Sequence, residues 1–75
     1  MVFTDIAEHN GSHYYVDSRW TIDCGFETMA FLCDADGNVT DWRGVYRRNY
    51  AIATQMELGH KNAIESIKQG RFCND

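Results

Sequence analysis

The chain has no proline, only three cysteines and no long apolar run. Nothing approaches a membrane span, and no charged leader precedes an apolar stretch, so neither a membrane anchor nor a signal peptide is expected. An odd cysteine count without a secretion signal fits free thiols or a metal site better than a disulfide framework. Basic residues are also scarce. The formal net charge is -4 and the sequence pI is near 5.1. No basic stripe is present to neutralise phosphates, which argues against direct nucleic-acid binding. The nearest approach to one is Arg43, Arg47 and Arg48, which read as solvated charges at a strand end. The eleven carboxylates are too few and too scattered to imitate DNA. There is no internal repeat and no low-complexity segment.

What is present is a compact apolar set. Apolar residues make up 44% of the chain, with two Trp, four Tyr and four Phe, so a packed core is feasible and disorder is excluded. Residues 1–75 form one small α+β domain, too short for a second core. A core of this size contributes only a few kcal/mol, so a metal or a partner often adds to it.

The organising stretch is residues 25–42, GFETMAFLCDADGNVTDW, read as two strands joined at Asp36-Gly37 by a type I′ turn. Upstream, residues 13–20 alternate, with Tyr14, Val16, Ser18 and Trp20 on one side. Residues 26–34 alternate too. Pairing Trp20 with Phe26 sets Val16 opposite Ala30 and Arg19 opposite Glu27, an opposite-charge pair. Residues 21–25 are then the loop. A third strand spans residues 39–46, with Thr40, Trp42, Gly44 and Tyr46 on the face of Met29 and Phe31. Residues 1–12 fit either a short strand or a helical turn, ended by Asn10-Gly11-Ser12.

A helix follows over residues 55–69. Thr54 and Glu57 have capping-box spacing, and Gly70 suits the position just past the helix. Met56, His60, Ala63, Ile64 and Ile67 form one stripe. Gly59 costs about 1 kcal/mol relative to alanine; a close approach to the sheet explains it, and so does a neutral accident. The expected fold is a three-stranded antiparallel β-meander with one C-terminal helix, β-β-β-α.

One helix cannot cover two aromatic faces. Tyr15, Phe31, Trp42 and Tyr46 are therefore the candidate partner-binding side chains, of types enriched at interface cores. The alternative is that the N-terminal segment and the tail cover that face. A self-associating face, giving a homodimer, is a third outcome.

The candidate zinc ligands are His9, His13, Cys33 and Cys73, which the expected topology gathers at one end as a Cys₂His₂ set. No C-x-x-C spacing supports them, and the plain alternative is a buried Cys33, solvated histidines and Cys73 in a tail. Cys24 belongs to the far end. His60 reads as a satisfied core histidine. Catalysis has little to stand on: His13 with Cys33 lacks an orienting carboxylate and an oxyanion loop, and Asp34, Asp36 and Asp41 lack calcium-loop spacing.

Residues 27–31 (ETMAF), residues 36–42 (DGNVTDW), Tyr50 and Gly59-His60 together resemble a group of small phage and prophage proteins, mostly of Gram-positive bacteria and their viruses. The match spans residues 26–64. Ala30 stands where that group usually has Val, and the start of the helix is less acidic than usual. His9, His13 and Cys73 lie outside the matching region. The resemblance implies a viral accessory protein in the bacterial cytoplasm, of the kind that inhibits host defence, including anti-CRISPR proteins that bind a Cas9-type nuclease. An acidic chain with an aromatic patch suits docking onto a basic nucleic-acid-binding protein. The expectation is a non-enzymatic inhibitor acting by protein contact. A zinc-stabilised phage structural or regulatory module is the alternative.

Overall fold

A computed structural model describes residues 2–72. Four strands, β1 (Val2–His9), β2 (Ser12–Thr21), β3 (Gly25–Cys33) and β4 (Val39–Tyr50), form one antiparallel sheet in sequence order. The helix α1 (Ala53–Lys68) packs on one face of it. The expected α+β class stands, but the sheet has four strands rather than three. The extra strand is the ambiguous N-terminal segment. Asn10 and Gly11 both adopt positive φ, 51° and 81°, and close a two-residue hairpin that pairs His9 with Ser12. Here, and not at Asp36-Gly37, lies the turn with two left-handed residues.

The β3–β4 connection is one residue longer than expected. The Asp34 amide donates to the Asn38 carbonyl and the Gly37 amide to the Asp34 carbonyl, at 2.9 and 3.1 Å. Residues 35–37 form the loop, and only Gly37 has positive φ. The Asp34 carboxylate accepts the amides of Asp36 and Asn38, both at 2.9 Å, which organises the turn. These bonds, the Asn38 amide first, lower the Asp34 pKa below its ordinary value. The turn is therefore strengthened above the ordinary carboxylate range and loosens as pH falls through the lowered value.

The pairing of β2 with β3 is as expected, with Trp20 opposite Phe26 and Val16 opposite Ala30. β4 departs from its simple register. The three-residue loop and successive bulges between Ala30 and Cys33 bring Tyr46 opposite Ala30 and Tyr50 opposite Phe26. Side chains alternate across a strand, so an odd shift reverses the faces. Tyr46 consequently belongs to the core, 4% exposed, and not to the face of Met29 and Phe31.

The core consists of Ala7, Val16, Ala30 and Tyr46 from the sheet against Ala63 and Ile67 of α1. Met56 and Ile67 are fully buried, each worth about 1.5–3 kcal/mol. The expected stripe is present, with Ile64 at its margin. The start of the helix differs from expectation: it begins at Ala53, two residues early, and Ile52 occupies the N-cap without a side-chain bond. Gln55 instead accepts the Ala51 amide, at 3.2 Å. At the other end the Gly70 amide bonds the Ile67 carbonyl and the Arg71 amide bonds the Ser66 carbonyl, the expected glycine-terminated close.

Candidate functional site

The face of the sheet away from α1 carries an open concavity. It has a volume of about 400 Å³, with Tyr15, Met29, Phe31 and Trp42 as its apolar lining. Neither the N-terminal segment nor Phe72 covers it. The N-terminal segment extends the sheet edge as β1, and Phe72 stacks on His9 and Tyr14 of the helix-covered face. The tip of the β3–β4 loop reaches β1, placing Gly37 against Ile6. Trp42 lies in the bulged part of β4, where the strand is not held in simple register. Its ring tilts over Phe31 at 5.1 Å between centroids and remains 72% exposed. Phe31 beneath it is buried.

Charges rim this groove in matched pairs. The Arg19 guanidinium donates to both Asp17 carboxylate oxygens at 2.8 and 2.9 Å, and Asp17 chiefly, through that hydrogen bonding, raises the Arg19 pKa. Arg47 donates to Glu27 at 3.1 Å. Arg19 does stand opposite Glu27, yet each turns to a different partner. Two arginines and two carboxylates cancel, so the groove offers apolar contact rather than a phosphate-binding field. Sequence reading placed Tyr15, Phe31 and Trp42 correctly together. It missed Asp17 and Arg19 as a pair, though their i,i+2 spacing on an alternating strand was a readable signal.

Of the four residues expected to ligate zinc, the three that are described, His9, His13 and Cys33, are not all brought together. The two-residue turn sets His9 opposite Ser12 and Glu8 opposite His13, so His9 and His13 lie on opposite faces of the sheet. His13 and Cys33 do share the open face as register partners. The His13 Nε2 lies 3.5 Å from Glu8. His9 instead closes the end of α1: its Nδ1 donates to the Lys68 carbonyl at 3.1 Å, and its Nε2 edge abuts Gly70. Cys73 lies outside the described residues. Burial, and then Asp34, push the Cys33 thiol above its ordinary pKa, which disfavours the thiolate that metal binding or nucleophilic attack would need. No group of three or more potential metal-ligating side chains occurs among the described residues. With His9 engaged by the Lys68 carbonyl on the face opposite His13, chelator treatment is expected to leave the melting temperature unchanged; a fall of several degrees, reversed by zinc, would overturn this.

Inside the sheet–helix interface lies a chain of polar side chains that the sequence did not reveal. His60 Nε2 sits 2.8 Å from the Asp5 carboxylate, and Nδ1 sits 2.6 Å from Ser18 Oγ. Ser18 Oγ is 2.6 Å from Thr28 Oγ1, which accepts the Tyr50 hydroxyl at 3.1 Å. In the neutral ring the directions are fixed. The carboxylate can only accept, so Nε2–H donates to it, and Nδ1 accepts from Ser18. Asp5, His60 and Ser18 are the residue types of a hydrolytic triad, but Ser18 and Thr28 are fully buried and no substrate reaches the hydroxyl. The chain is structural: it lets three polar side chains sit in the interface with their bonds satisfied. His60 is thus the satisfied core histidine that its position on the stripe implied.

Among the described residues no helix is long and apolar enough to cross a membrane. No family model, curated protein or solved structure matches this chain.

Proposed function

We propose that this protein is a non-enzymatic binding protein that uses its open sheet face to dock on a partner protein. The observation that carries this is Trp42, 72% exposed above the buried Phe31 at the mouth of a groove with balanced charge. A large exposed aromatic seated on a buried ring is the anchor type that dominates interfaces. The paired arginines favour a protein over a nucleic acid.

The partner class comes from the resemblance to phage accessory proteins. The inferred partner is a Cas9-type nuclease of the bacterial defence, met in the host cytoplasm and kept from its DNA. A net charge of -4 aids encounter with such a basic protein. Of the residues that carry the resemblance, Tyr50, Gly59 and His60 are accounted for by packing. Trp42 is the one whose exposure folding does not explain.

The test is target-DNA cleavage by a nuclease–guide complex with this protein titrated in before the DNA. Inhibition near stoichiometric amounts is expected. Trp42→Ala should weaken it about 30-fold or more while leaving the melting temperature within a few degrees. Full cleavage across several such nucleases would remove this partner class.

A further inference from the structure

A four-stranded sheet has two free edges, and this one treats them differently. β4 is broken by successive bulges and carries Arg43, Arg47 and Arg48. Bulges and long cations are the usual guards against edge-to-edge pairing. β1 has none of these. It pairs with β2 over eight residues without a register shift, and it contains neither lysine, arginine nor proline. Val2 and Ile6 are exposed at 56% and 43%. Its one charge on the helix side, Asp5, is engaged by the buried His60 at 2.8 Å.

The hairpin sets which backbone groups are free. A two-residue turn closes on a hydrogen-bonded pair, here His9 with Ser12, and bonded pairs alternate from there. Ala7, Asp5 and Phe3 therefore bond to β2. Val2, Thr4, Ile6 and Glu8 turn their amides and carbonyls outward.

We infer that β1 pairs antiparallel with β1 of a second copy, joining two sheets into one continuous eight-stranded sheet. Keeping both helices on one side requires residues of like parity to stand opposite each other. The register centred on Asp5 would oppose two carboxylates. The register centred on Ile6 does not. It sets Ile6 against Ile6 of the second copy, Thr4 against Glu8, Asp5 against Ala7 and Phe3 against His9. Each outward Thr4, Ile6 and Glu8 then exchanges both backbone bonds. This association uses the edge and leaves the Trp42 groove free, so it stands or falls apart from the nuclease reading.

The test is sedimentation equilibrium of the whole chain into the high micromolar range. A concentration-dependent dimer is expected. Thr4→Pro deletes an outward amide that the monomer does not use, so it should raise the dimer Kd at least about tenfold while the circular dichroism of the monomer stays unchanged. Thr4→Val should leave the Kd unchanged. Should Thr4→Pro disturb the monomer, Ile6→Lys replaces it: two ammonium groups meeting at the two-fold axis should weaken the dimer as much. A chain that stays monomeric overturns the inference and leaves the edge to a strand of some other protein. A dimer indifferent to whichever of these variants keeps the monomer fold, or one lost with Trp42→Ala instead, also overturns it.

Discussion

Gly59→Ala is expected to destabilise the protein, although alanine is the better helix former by about 1 kcal/mol. A Cβ at this position would enter the ring of Tyr50. The ring cannot simply step aside, because its hydroxyl donates to the buried Thr28 Oγ1 at 3.1 Å. Overpacking of this kind costs roughly 1–3 kcal/mol, and the strained or lost hydrogen bond adds about 1. Less the gain in propensity, the net loss is about 2 kcal/mol, or roughly 10 °C in melting temperature for a domain of this size. A double-mutant cycle isolates the cause. In a Tyr50→Ala background, itself destabilised, Gly59→Ala should become neutral or stabilising by up to about 1 kcal/mol. Equal losses in both backgrounds would mean that the helix, not the ring, resists the side chain.

The sequence left two explanations for Gly59 open, a close approach or an accident, and the contact with Tyr50 selects the first. The same boundary between legible and illegible runs through the whole molecule. Strand alternation predicted the β2–β3 register residue by residue, because burial of one face penalises every one-residue slip. The Tyr15–Phe31–Trp42 grouping followed from it. Tyr46 was misplaced because bulges leave no compositional mark, and an odd insertion reverses every residue beyond it. His9 and His13 were separated on a similar point of parity: spacing along the chain put them near each other, while the two-residue turn put them on opposite faces. The helix start was misread because Thr54-x-x-Glu57 matched a pattern whose use depends on tertiary context. The Asp5–His60 contact, 55 residues apart, could not be read from any local pattern.

That contact anchors the second large effect. Ser18→Ala should cost about 2–3 kcal/mol, far more than deletion of one hydroxyl suggests. The Ser18 hydroxyl meets both His60 Nδ1 and Thr28 Oγ1, each at 2.6 Å, and all three residues are buried. Its removal leaves a ring nitrogen without a donor and the Thr28 O–H without an acceptor, though Thr28 Oγ1 still accepts from Tyr50, and each buried group left unsatisfied pays a desolvation penalty. His60→Leu and Thr28→Val should each cost a comparable amount for the same reason. The triple variant behaves differently. With Ser18→Ala, Thr28→Val and His60→Leu combined, no buried partner remains to be stranded. Asp5 is 56% exposed along its side chain and can return to water, as can the partly buried Tyr50 hydroxyl. The triple variant should therefore lose much less than the sum of the three singles, read as the shift in urea midpoint at unchanged slope. Additive losses would show that the three side chains matter through shape alone. Strongly non-additive losses would show that the hydroxyls and the imidazole act as one unit, tying edge strand β1 through the helix and central strands to Tyr50 on the opposite edge.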